Sequence, residues 1–151
     1  MKLAEALLQR AEYTAVIGSL QSRIINNMKV QEGESPFENP GELFGEFNEI
    51  TDKMNALICK INACNYNVVL PDGRRLSEAL TERDSLLKKR NMLSMMAAAI
   101  ANPERRMTRS EIKIQPTMNV SELQKKIDVL SRQFRELDTK IQEINWLTEF
   151  E

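Results

Sequence analysis

The chain has 151 residues, 42% of them hydrophobic and 28% charged, enough for one domain that needs neither metal nor disulfide to hold its core. Twenty-one basic residues against twenty-two acidic leave a net charge of −1, which argues against a protein whose main task is gripping nucleic acid, since that grip rests on neutralising phosphates. Histidine is absent, which removes Ser-His-Asp and Cys-His catalysis and every imidazole metal site built from this chain alone.

The opening stretch, MKLAEALLQRAEY, is broken by Glu5 and ended by Arg10, so it does not read as a secretory signal. No run of 18 or more apolar residues follows anywhere, and a transmembrane helix is not expected. The expected location is therefore cytoplasmic. A first helix is predicted over residues 2–28, with Leu3, Tyr13, Ile17, Leu20 and Ile24 along one side. The stretch KVQEGESPFEN holds Gly, Ser and Pro and reads as a loop.

The second helix is predicted over 40–66. Leu43, Phe47, Ile50, Met54, Leu57, Ile61 and Cys64 alternate steps of three and four, one continuous apolar stripe. Asn39 is a good N-cap, and Pro40 stands at the first helical position, where its missing N–H costs nothing. Cys59 and Cys64 lie about 140° apart around such a helix, too far for a disulfide between them. Free, mostly buried thiols in a reducing compartment are expected. The stretch NVVLPDGRRL then predicts a small β-hairpin at about 67–76, with Pro71, Asp72 and Gly73 making its turn.

The third helix is predicted over 77–101 and ends in MLSMMAAAIA, residues 92–101. These ten residues, apolar but for Ser94, span about 15 Å in a helix, half of a bilayer core of about 30 Å. A run apolar all round belongs where other helices surround it, in the core of one chain or at the contact between two. The same helix sets Arg83 and Arg90 on the side of Leu86, Leu93 and Ala97. Such arginines can clamp a phosphate or carboxylate; their stems can equally cross the seam, with heads paired to Glu82, Asp84 or acids of another helix. Arg105, Arg106 and Arg109 in ERRMTRSEIK extend the candidate anion site, although Glu104 and Glu111 stand in the same stretch and no Gly-rich phosphate cradle accompanies them. A short strand is predicted at about 110–115, where Ile112 and Ile114 alternate with polar residues, and Pro116 ends it.

The fourth helix, about 120–146, has the cleanest stripe: Val120, Leu123, Ile127, Leu130, Phe134, Leu137, Ile141 and Ile144. Ser121 and Gln124 are placed for a capping box, and Trp146 is read as capping the core or an interface. Surface carboxylates such as Glu136, Asp138 and Glu143 are not isolated as an acid/base pair. No catalytic residue, cofactor or metal is assigned, and enzymatic activity is not expected. The fold class is mainly α: one domain, a bundle of four long helices in coiled-coil-like hairpins, with the β-hairpin and one further short strand.

Together MKLAEALLQRA, NMKVQEGESP, PDGRRLSEALTERDSL and the segment from RSEIKIQP to IQEINW resemble small bacterial proteins known as septicolysins. The resemblance covers nearly the whole chain and implies a helical, self-associating protein with a small β element. It assigns no site residue. The family name implies a haemolysin, yet the tryptophan-rich undecapeptide of thiol-activated cytolysins is absent, and the VVLPDGRRL hairpin is too short to span a bilayer. The leading expectation is thus a cytoplasmic homo-oligomer with a structural or interaction role. Its candidate contact residues are Met92, Met95, Met96, Ile100, Ile112 and Ile114. No nucleic-acid partner or small-molecule substrate is expected. A membrane-active protein exposing 92–101 to lipid is the alternative, and arginine-mediated anion binding a weaker one.

Overall fold

The computed structural model describes residues 1–102 and 113–151. Four helices dominate them: α1 (Leu3–Asn26), α2 (Pro40–Asn67), α3 (Leu76–Ala101) and α4 (Val120–Leu147). The chain divides into two compact units, Met1–Leu76 with Glu143–Glu151, and Ser77–Gln142.

In the first unit α1 packs against α2. Each buries the stripe its heptads define: Leu3, Ala6 and Leu20 from α1, Leu43, Leu57 and Ile61 from α2. Removing these branched side chains from water supplies the main drive for the pairing. The start of α2 follows the cap rule directly. Asn39 Oδ1 accepts the backbone N–H groups of Gly41 (2.9 Å) and Glu42 (3.4 Å), satisfying donors the first turn leaves orphaned. The connection from α1 is pinned at its base by Asn27. Its amide donates to the Arg23 carbonyl (2.8 Å), and its Oδ1 accepts the Glu38 N–H (3.0 Å). The Arg23 guanidinium also grips the Glu38 carboxylate through two nitrogens.

After α2 the chain doubles back once. Leu76 N–H donates to the Val68 carbonyl (2.9 Å) and Leu70 N–H to the Arg74 carbonyl (2.8 Å). Gly73, at φ +88°, closes the turn by donating to Leu70 (2.9 Å); only glycine adopts that φ without cost. The expected hairpin at 67–76 is therefore corrected to one antiparallel bridge, Val69 with Arg75. The reason is room: α2 runs through Asn67 and α3 begins at Leu76. Among the described residues there is no strand. Residues 113–115 of the expected strand at 110–115 are irregular, and its remainder lies outside the described residues.

A second junction repeats this geometry. Leu3 N–H donates to the Thr148 carbonyl (3.0 Å), Phe150 N–H donates to the Met1 carbonyl (2.7 Å), and Lys2 bridges Glu149. The Lys2 ammonium also pairs with the Glu149 carboxylate. Leu70 and Phe150 are both buried beyond their bridges.

In the second unit, α3 and α4 meet in opposite senses. Arg83 reaches Asp138 (3.0 Å), and the Arg90 guanidinium lies 5.6 Å from the Phe134 ring centre. The cap of α4 is Asn119, not Ser121. Its Oδ1 accepts from Ser121 (2.8 Å) and Glu122 (3.4 Å), while Gln124 donates to Asp128 (2.9 Å) instead of reaching back.

Leu3 and Leu76 are both fully buried at the head of their helices. Replacing either by Ala is expected to cost about 2–5 kcal/mol in urea denaturation, against about 1 kcal/mol for Asn39→Ala or Asn119→Ala.

Candidate interaction surface

The seam of α3 stays half-buried to its end, but from Met92 to Ala101 the residues off the seam, Ser94 excepted, are apolar as well. No residue of MLSMMAAAIA is fully buried. Met92 is 55% exposed and Met95 67%; Ala98, Ala99 and Ala101 are exposed as well. Six of its ten residues are exposed and the other four half-buried.

Helical spacing sorts the run into two stripes. Leu93, Ala97 and Ile100 are half-buried and continue the seam of Arg83, Leu86 and Arg90. Met92, Met95, Met96 and Ala99 form the adjoining stripe, exposed except for half-buried Met96. Leu93 also forms one wall of an open groove of about 450 Å³, whose other lining residues are Lys125, Lys126, Val129, Leu130 and Gln133 of α4. The groove has an apolar floor and a lysine rim. Its α4 wall was not among the expected contact residues. The available signal was Val129, an apolar residue between the seam positions Ile127 and Leu130, and 43% exposed.

The arginines take up partners within the second unit. Arg83 donates to Asp138 (3.0 Å) and to Asp84 (3.4 and 3.3 Å). Arg90 faces Phe134 and donates to Asn91 (3.4 Å). Arg105, Arg106, Arg109 and Ile112 lie outside the described residues, and Ile114 is exposed ahead of α4. The second open hollow, lined by Ser77, Glu78, Thr81, Glu82 and Ser85, lies along one helix alone. Among the described residues no group of three or more Cys, Asp or Glu is disposed to hold a metal, and no helix is long and apolar enough to cross a membrane. Both cysteines are free, but Cys59 is exposed, against the expected burial; burial raises the Cys64 thiol pKa, keeping it protonated and unreactive.

The family profile described as Family of unknown function (DUF6847) matches residues 10–150. The chain belongs to that family. Its fold is shared with the crystal structure of a functionally unknown conserved protein from Corynebacterium diphtheriae, 41% identical, with a TM-score of 0.89 over 100% of this chain and 99% of that one. No curated protein matches. The likeness to septicolysins is thereby overturned, since neither the DUF6847 match nor the solved relative bears that name or a lytic activity. Physically, the segments that carried the likeness are seam and turn residues: Leu3 and Leu76 at helix heads, Gly73 at positive φ, the α4 stripe. Such residues report a fold, not an activity.

Two surface ion pairs hold the first unit of this DUF6847 protein at its edges. Hydrogen bonding from Arg23 lowers the Glu38 pKa, and hydrogen bonding from Lys2 lowers that of Glu149. A carboxyl whose folded pKa is depressed stabilises the fold above its unfolded pKa, and that stabilisation is lost as pH falls through the folded value. The wild type is therefore expected to melt higher than a Glu38→Gln, Glu149→Gln variant at about pH 7, with the gap closing towards about pH 3 as both carboxyls protonate. Thermal scans across that range check this; a constant gap would show that the pairs do not act through charge.

Proposed function

We propose that this DUF6847 protein is a self-assembling interaction protein with a structural role and no catalysis of its own. The carrying observation is the uncovered apolar end of α3. Isolated exposed apolar residues are ordinary on any surface, but a continuous helical run of ten beside an apolar-floored groove marks a contact site. Flexible methionines suit such a site, because they repack against whatever shape is offered. The run is also too short to span a bilayer. The free thiols, one of them exposed, support a reducing, cytoplasmic setting.

Light scattering behind a sizing column, over a wide concentration range, is expected to give a mass that rises with concentration from 17.4 kDa to a discrete multiple of it. Met96→Asp or Ile100→Asp, both at half-buried positions, is expected to shift the protein to monomer while leaving its far-ultraviolet circular dichroism helical. A monomer at every concentration would contradict self-assembly.

A further inference from the structure

The four helices are two copies of one pattern. The heads of α1 and α3 read LAEALLQR and LSEALTER, sharing Leu, Glu, Ala, Leu and Arg at the same places. The helices α2 and α4 each have 28 residues, are capped by Asn39 and Asn119 through bonds to the second and third residues on, and bury matching positions. Leu43 pairs with Leu123 in this comparison, Leu57 with Leu137, Ile61 with Ile141 and Leu70 with Phe150. The backbone junctions match as well: Val68 and Leu70 hold Leu76 and Arg74 as Thr148 and Phe150 hold Leu3 and Met1. The tail of α2 thus clasps the head of α3, and the tail of α4 the head of α1, both within the first compact unit.

This repetition provides an internal control. Where α3 carries Met92, Met95, Met96 and Ala99, the matching positions of α1 carry Ser19, Ser22, Arg23 and Asn26. Exposure agrees position by position: the first, second and fourth are exposed and the third half-buried in both helices. The framework therefore does not require apolar side chains there, because α1 forms the same helix end without them. We infer that the chain is a tandem pair of one helix–turn–helix unit, whose second unit has diverged at the end of α3 into a face that docks a second copy of this chain. The inference rests on the self-assembly reading above and adds its face, partner and stoichiometry.

A second copy fits because the stripe is complementary to itself. Laid antiparallel about a two-fold axis between Met95 and Met96, each Met92 stands over the partner's Ala99, large against small, with the central methionines meeting. Half the circumference of about 15 Å of helix, plus the flanking α4 wall, offers roughly 400 Å² per copy. Two such faces bury roughly 800 Å², the scale of a weak, reversible pair. A self-complementary face used once per chain closes at two copies, leaving no second face to propagate a filament.

The test transfers residues between units. Met92→Ser, Met95→Ser, Met96→Arg and Ala99→Asn together give α3 the side chains that α1 already carries, a change the framework tolerates. Sedimentation velocity over about a hundredfold range of concentration, with circular dichroism alongside, should show a wild-type dimer that dissociates on dilution and a helical, monomeric variant. The reciprocal Ser19→Met, Ser22→Met variant gains a second face and should form species larger than a dimer. A variant set that still dimerises like wild type overturns this face while leaving self-assembly standing. A wild type that is monomeric throughout overturns both, and a reciprocal variant that stops at the dimer overturns the equivalence of the two helix ends.

Discussion

The structure depends on two backbone junctions at which a helix tail clasps the head of another helix. At each, a leucine N–H that no intrahelical carbonyl can satisfy is bonded to the residue just past α2 or α4: Leu76 to Val68, and Leu3 to Thr148. The first residues of any helix leave such donors orphaned, and burying them unpaired is costly. Full burial of Leu3 and Leu76 is thus possible only because the tails supply acceptors. Where the helices begin, and hence which side chains fall on the seam, follows from that constraint.

From these anchors the seams run outward with different results. In the first unit the far end of α1, where Ile25 is exposed, is fastened by polar groups: Asn27 holds the loop, and Arg23 grips Glu38. In the second, the matching helix end carries methionines and alanines. The charges along the described part of α3 stop at Arg90, which turns onto Phe134, and from Met92 to Ala101 the only polar residue is Ser94. One end of the repeat is fastened by Asn27 and Arg23, and the other carries the methionine stripe proposed as the contact between copies.

Helix existence, type and approximate extent were legible in the sequence because heptad spacing and the Asn39-Pro40 start of α2 act locally. The hairpin was overread: Pro71-Asp72-Gly73 does mark a tight turn, but turn chemistry says nothing about how many ladder bonds flank it, and residues 68–75 between α2 and α3 form a single bridge. Ser121 looked like a cap because Ser-x-x-Gln is a common box; Asn119, two residues earlier, caps the helix by accepting from Ser121 and Glu122 N–H, which places Ser121 inside the first turn. Cys59 sits off the α2 stripe and is exposed accordingly, a consequence that its spacing from Cys64 already contained. Periodicity read one helix at a time is blind to the likeness of LAEALLQR and LSEALTER, which emerges when the junctions around Leu3 and Leu76 are compared. Of the proposed contact face, composition named Met92, Met95, Met96 and Ile100, whereas the α4 wall needed the structure, which sets Leu93, Val129 and Leu130 around one groove.

The central claim is that the exposed methionine stripe of α3 is the place where two copies meet. Methyl-labelled methionine NMR on the wild-type protein over a concentration series reads it directly. The signals of Met92, Met95 and Met96 should shift or broaden together as the protein is concentrated, while those of Met28 and Met54 in the first unit stay fixed. Uniform behaviour of all methionine methyls, or changes confined to the first unit, would contradict it.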